Sequence, residues 1–251
     1  MNNLLLEKYV NTLLNVSDFQ DYAPNGIQIE GRSHISKIAS AVTASLHVIE
    51  QAVTLGVDAL LVHHGYFWKG ESYPIRGMKK QRIATLVNHD INLYAYHLPL
   101  DVYDLWGNNA SIANQLSIMV TEKISWNQYR DLLWIGMLQA QDTPQHFFHL
   151  LSQHYGPQVR HIASDKKYIK NIAWCSGAGQ DMLEAAISNG IDAFISGESN
   201  ERSYHIAKEA NIDFFAIGHH ASEKDGIFHL GQHLCKQFKL EHHFIDENNP
   251  F

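Results

Sequence analysis

The stretch Lys37-Ile-Ala-Ser-Ala-Val-Thr43, followed by residues 44–55 and then Gly56-Val-Asp-Ala-Leu-Leu-Val62-His63-His64, occurs twice in the chain. Its second copy begins 134 positions further on: Asn171-Ile-Ala-Trp-Cys-Ser-Gly177, residues 179–189, then Gly190-Ile-Asp-Ala-Phe-Ile-Ser196-Gly197-Glu198. Without a gap, Ile38 aligns with Ile172, Ala39 with Ala173, Glu50 with Glu184, Ala52 with Ala186, and Gly56-Val-Asp58-Ala with Gly190-Ile-Asp192-Ala. The match resumes at a shorter offset, Ile91-Asn-Leu-Tyr-Ala95 against Ile212-Asp-Phe-Phe-Ala216. Thirteen residues around positions 66–77 therefore belong to the first copy alone.

Each copy reads strand, helix, strand, helix, strand, because short apolar β-rich runs alternate with segments of period near 3.6. Parallel strands joined by right-handed crossovers follow from that order. The expected fold class is α/β, with two similar three-layer domains related by duplication and a metal cleft between them. The expected division is 1–123 and 124–251, the last helix packing back on the first domain. Residues 124–169 have no counterpart in the repeat. There, Leu132-Leu-Trp-Ile-Gly-Met-Leu138 predicts a strand, Thr143-Pro144 an N-cap with proline in the first turn, and Gly156 a helix stop. This segment is expected to complete the second sheet. Residues 1–16 predict an amphipathic helix with Leu4, Leu5, Tyr9 and Leu13 facing inward, and residues 228–238 and 242–245 a closing helix and strand.

Composition excludes several classes. The 251 residues are 45% hydrophobic and carry a formal charge of -7, which argues against sequence-independent binding to nucleic acid or anionic lipid, while leaving room for a local basic patch. No apolar run is long enough to span a bilayer, and Glu7 and Lys8 fall too early for a secretory signal. Cys175 and Cys235 lack the spacing of a metal or disulfide framework. A cytoplasmic protein is expected, and any metal site must use nitrogen and oxygen.

In parallel sheets, ligands bind beyond the carboxyl ends of the strands. His63, His64, His97 and His219 each close an apolar run, unlike His34, His47, His89, His146, His149, His154, His161 and His229, which read as background among the 17 histidines. Asp101, Glu198 and Glu223 fall at the same strand ends. Adjacent histidines within a strand point to opposite faces, so His63 and His64 can serve one site only if the strand ends there, as Gly65 allows. His219 and Glu223 are one helical turn apart. Pro99 is expected to keep Asp101 in a loop. His63, His64, Asp101, His219 and Glu223 are too many for one tetrahedral ion and suit two divalent ions, a carboxylate bridging them and a shared water giving up a proton near neutral pH. Zinc, iron, manganese and nickel all accept such ligands.

Several blocks closely resemble the signatures of the Nif-three-like, or GTP cyclohydrolase I type 2, family. They are His63-His64-Gly65, His97-Leu-Pro-Leu-Asp101 with Gly107-Asn108-Asn109, Asp192-Ala-Phe-Ile-Ser-Gly197-Glu198, Gly218-His219-His220-Ala-Ser-Glu223, and Asn25-Gly26-Ile27-Gln28. The resemblance runs from about residue 20 to residue 230 and is nearest to short bacterial members. It implies a dinuclear metal centre between two α/β domains, a ring-shaped homohexamer, and ligand roles for His63, His64, Asp101, His219 and Glu223, with His97 and Glu198 close by. It also implies hydrolytic opening of a purine imidazole ring, in which Glu198 or His97 would carry protons. Two departures touch the surroundings: Ala23-Pro24 precedes the Asn25 block where an acidic residue is common in the family, and His220 stands where tyrosine is frequent.

Two functions compete. The first is a metal-dependent hydrolase acting on a nucleotide or related heterocycle; the second is a non-catalytic, ring-shaped metal-binding adaptor or regulator linked to nucleic-acid damage. Lys69, Arg76, Lys79, Lys80 and Arg82 read as a solvated face ahead of a triphosphate site, and Tyr66-Phe67-Trp68 as an oligomer contact ahead of a stacking surface. Ser176-Gly177-Ala178-Gly179 reads as a tight turn, since the third glycine of a dinucleotide fingerprint is missing.

Overall fold

The computed structural model describes residues 1–251. In chain order the elements are α1 (Asn3–Leu13), β1 (Gly26–Ile29), β2 (Lys37–Thr43), α2 (Leu46–Leu55), β3 (Ala59–His64), α3 (Gly77–Asn88), β4 (Asn92–Ala95), α4 (Leu98–Asp101) and α5 (Asn108–Gln115). They continue with β5 (Ile118–Trp126), β6 (Tyr129–Asp142), α6 (Pro144–Tyr155), β7 (Arg160–Ile162), β8 (Ile169–Cys175), α7 (Leu183–Ile187) and β9 (Ala193–Ser196). The last are α8 (Glu201–Glu209), β10 (Asp213–Ala216), α9 (His219–Ser222), α10 (Lys224–Phe238) and β11 (Glu241–Phe244). No helix is long and apolar enough to cross a membrane.

Two compact units result, Met1–Leu100 with Lys224–Asn248 and Asp101–Glu223 with Asn249–Phe251. This division departs from the expected boundary at 123/124. Residues 101–123 belong with the second unit because Asn109 is tied to Leu132 and Ser176, and because β5 pairs along β6. Residues 224–248 belong with the first because β11 pairs in parallel with β2, and α10 packs on that strand.

The first unit holds a five-stranded sheet in the order β1-β4-β3-β2-β11, and the second a six-stranded sheet in the order β5-β6-β8-β9-β10-β7. Each has three consecutive parallel strands, β2-β3-β4 and β8-β9-β10; the first trio is extended by antiparallel β1 and parallel β11, the second by β7 and β6, both antiparallel. The segment 124–169 supplies all of β6 and β7, so it does complete the second sheet. Each unit has its own core: Val48, Ile49, Leu60 and Leu93 belong to the first, Trp134, Phe147, Trp174 and Phe215 to the second. Burying each such side chain contributes about 1.5–3 kcal/mol, and it is this term that closes each unit.

The duplication extends to individual hydrogen bonds. Asp58 Oδ2 accepts from the backbone N–H groups of Ser36 (2.8 Å) and Lys37 (2.9 Å), and Asp192 Oδ2 accepts from those of Lys170 and Asn171 (3.0 Å each). The other oxygen of each aspartate meets a cation, Arg32 at 3.0 Å and Lys166 at 2.6 Å. Gly56 and Gly190, just ahead of these aspartates, hold φ of 64° and 66°, a left-handed conformation that glycine adopts without cost.

Two local expectations change. In α1 the buried residues are Asn3, Leu6 and Val10, with Leu14 following, whereas Leu4 and Leu5 are more than half exposed. The inward stripe therefore runs through Leu6, Val10 and Leu14. Pro99 does not prevent a helix either. It occupies the second position of the single turn α4, where its missing N–H would have had no intrahelical partner.

Candidate metal centre

In the first unit three imidazoles converge at the ends of β3 and β4. His63 is fully buried and His97 nearly so. Ring centroids lie 4.7 Å apart for His63 and His64, 5.1 Å for His63 and His97, and 5.8 Å for His64 and His97. One ligand atom from each falls within 4.8 Å of the others, so the group is able to hold a metal ion. The two adjacent histidines approach one another because β3 ends at His64 and the chain turns at Gly65, where a Cβ would lie 2.2 Å from Gln28 Oε1.

Each imidazole is fixed through Nδ1. That of His63 lies 2.9 Å from the Tyr96 carbonyl oxygen, that of His64 3.1 Å from Thr43 Oγ1, and that of His97 2.9 Å from Asp21 Oδ1. A carbonyl and a carboxylate only accept, so Nδ1 of His63 and His97 donates, which leaves Nε2 as the nitrogen able to bind a metal. Asp21 also accepts from the N–H of Leu98 (3.0 Å) and from Asn25 Nδ2 (2.9 Å). Burial acts to raise its pKa, and the His97 imidazole with these hydrogen bonds outweighs it, holding the carboxyl below its ordinary value.

The block Asn25-Gly26-Ile27-Gln28 pins the same site. Asn25 Oδ1 accepts the His97 N–H at 2.7 Å, and Gln28 Oε1 accepts the Tyr66 N–H at 2.6 Å while its amide donates to the Pro24 and Tyr66 carbonyls. Tyr66 departs from the expected oligomer contact: it is 5% exposed, and its hydroxyl donates to the Ala44 carbonyl at 2.7 Å. Lys79 is bound by Glu71 at 3.1 Å.

The second unit gathers carboxylates around one imidazole. His219 opens α9; its Nδ1 lies 2.6 Å from Glu198 Oε1 and its Nε2 3.2 Å from Glu223 Oε2. Burial acts to lower the His219 pKa, but Glu223 and then Glu198 push it up to about 10. The locus therefore favours positive charge. Asp101 is 5% exposed, and its Oδ1 accepts from Asn108 Nδ2 and Ser176 Oγ, both at 2.8 Å. The turn at Ser176-Gly177 is thus part of the site. Gly177 has φ 57°, and a Cβ there would lie 2.2 Å from Glu223 Oε1. Behind it, burial pushes the Cys175 thiol well up, helped by the charges of Asp101 and Glu223, so it stays protonated and offers no thiolate.

The donor set fits divalent zinc, iron, manganese or nickel: imidazoles each held in orientation through Nδ1, and the buried carboxylates of Asp101 and Glu223. His63, His64 and His97 are brought together in one unit, and Asp101, Glu198, His219 and Glu223 are placed by the other. Asp21, Thr43 and Ser176 were not legible as site residues. Asp21 lies 76 positions from His97 and Ser176 lies 75 from Asp101, so no local spacing reveals either partnership.

The family model for Duf34/NIF3 (NGG1p interacting factor 3) matches residues 1–250. A Vibrio cholerae protein named GTP cyclohydrolase 1 type 2 homolog is 46% identical over 252 residues, covering 100% of both chains. Among solved structures, a protein called ybgI superposes with a TM-score of 0.95 at 42% identity, and TTHA1606 from Thermus thermophilus with 0.89 at 31%, each covering 100% of both chains. By sequence and by fold, this chain belongs to the Duf34/NIF3 family.

Proposed function

We propose that His63, His64, Asp101, His219 and Glu223 together hold two divalent cations, and that the chain is a hydrolase acting on a nucleotide or related heterocycle. The observation that carries the reading is the common restraint on three imidazoles: His63, His64 and His97 are all held through Nδ1, which leaves Nε2 for a cation, while His219, held through Nδ1 by Glu198, turns Nε2 toward Glu223. Bound cations would polarise a substrate oxygen and lower the pKa of water to near neutrality.

The chain's own residues supply the rest. His97 is oriented through Nδ1 by Asp21, and in this reading its imidazole carries protons to and from the reacting groups. Glu198 orients His219 through Oε1, and its side chain remains 45% exposed, which suits a carboxylate that exchanges protons with solvent. Asn108 and Ser176 fix Asp101.

The purine-opening activity in the relatives' name supplies the first substrate to try. GTP incubated with zinc-, manganese- or iron-loaded protein should lose its purine absorbance, and chelation or Glu223→Gln should abolish that loss. A fully metal-loaded protein that converts none of a panel of nucleotides would overturn the hydrolase reading and favour the metal-binding adaptor.

A further inference from the structure

We infer that Trp68 and Tyr22 form the surface that recognises the planar ring of the substrate, a purine or comparable heteroaromatic group, beside the imidazoles of His64 and His97. The inference rests on the proposed function and specifies its substrate class. Trp68 lies on the thirteen-residue segment that interrupts the duplication, so it has no counterpart in the second copy. Its ring centroid is 5.1 Å from that of His97 at an interplanar angle of 90°, and 6.0 Å from that of His64. Tyr22 approaches the same imidazole, 4.9 Å away at 79°, and lies 5.8 Å from Trp68. Two aromatic rings thus stand nearly perpendicular to one histidine of the metal-binding group. Tyr22 remains 40% exposed, and Trp68 is half-buried.

The local backbone is built to hold Trp68 there. Glu71 Oε2 accepts from the N–H groups of Phe67 (3.0 Å) and Trp68 (3.2 Å), and the Glu71 N–H returns to the Trp68 carbonyl at 2.9 Å. Lys79 secures that carboxylate, and the Lys69 N–H donates to the Tyr22 carbonyl at 2.8 Å, which joins the two aromatic residues through the main chain. Phe67 itself has φ of 65°, a left-handed conformation that is costly for an aromatic residue and persists only where its surroundings impose it. Strain next to a half-exposed tryptophan, at the edge of a metal-binding group, is better accounted for by ligand positioning than by core packing, which Tyr66 alone supplies to this loop. Aromatic faces stack on any planar base and discriminate against ligands that lack one.

Equilibrium dialysis of guanosine 5′-monophosphate and ribose 5-phosphate against the metal-loaded full chain tests this. The wild type should hold the base-bearing ligand roughly tenfold more tightly than the sugar phosphate. Trp68→Ala should erase most of that preference and Trp68→Phe retain it, with Tyr22→Ala reducing it independently of any effect of Trp68→Ala on folding. Metal content is measured on the same samples. A wild type that binds both compounds alike, or a Trp68→Ala protein that keeps the preference, contradicts the inference. Either result leaves the hydrolase reading to its own turnover assay, because dialysis registers binding without chemistry.

Discussion

Glu198 Oε1 lies 2.6 Å from Nδ1 of His219, and Glu223 Oε2 lies 3.2 Å from Nε2 of the same ring. One imidazole is therefore gripped between two carboxylates, the first of which sets its orientation. Glu198→Gln retains the shape but removes the charge. We expect metal affinity to fall roughly 10–100-fold, the usual cost of losing an orienting carboxylate, with the fold intact. Titration against a competing chelator reads this directly; unchanged affinity would show that His219 does not depend on Glu198.

Asp21 has a heavier duty, since it holds the His97 side chain and also accepts backbone N–H groups from Tyr22 and Leu98. Asp21→Ala should cost about 1–3 kcal/mol of stability in addition to weakening metal binding. Urea unfolding of the metal-free protein separates the two effects. A variant as stable as the wild type would contradict the role assigned to Asp21 in fixing the start of α4.

Gly177 sets the clearance for Glu223. Gly177→Ala would place a Cβ 2.2 Å from Glu223 Oε1 on a backbone with φ of 57°. Metal affinity is expected to fall roughly tenfold or more, as it does when a ligand's support is disturbed. Isothermal titration with zinc checks it, and wild-type affinity would mean that Glu223 moves aside without consequence.

A pH effect should arise away from the proposed metal centre. His242 bonds Ser40 Oγ at 2.8 Å and fills the space beside Gly231, and burial, followed by the charge of His243, pushes its pKa down to about 4. The unfolded chain takes up a proton there as pH falls through the ordinary histidine value of about 6.5, whereas the folded chain resists until about 4. Stability is therefore complete above pH 6.5, is lost progressively down to about 4, and levels off below. Partial exposure limits the contribution to the order of 1 kcal/mol. His242→Gln should flatten this part of the stability profile, and an unchanged slope would reassign the acid sensitivity to other groups.

Much of this molecule was legible because the chain states it twice. The ungapped match gives two parallel strands of each copy with His63, His64 and Glu198 at carboxyl ends, the match that resumes after the thirteen-residue gap adds the third strand and His219, and the hydrogen bonds of Asp58 and Asp192 bear that equivalence out. The division at Leu100–Asp101 was not legible, because residues 101–123 are held to the second unit by bonds such as those of Asn109 to Leu132 and Ser176, 23 and 67 positions away, which leave no local pattern. The inward face of α1 is not legible from hydrophobicity alone, because Leu4, Leu5 and Leu6 are consecutive and only Leu6 is buried. Asp21 and Ser176 escaped notice for the reason that hides most supporting residues: their partners are distant in sequence, and their residue types are ordinary in turns.

The most direct measurement is metal content per chain, by elemental mass spectrometry, on wild-type protein prepared without chelator and on an Asp101→Ala, Glu223→Ala variant shown by circular dichroism to be folded. Wild type should carry about two divalent ions per chain and the variant far fewer. Wild-type protein that stays substoichiometric after reconstitution with zinc, manganese and iron would contradict the dinuclear centre, and with it the chemistry proposed for these residues.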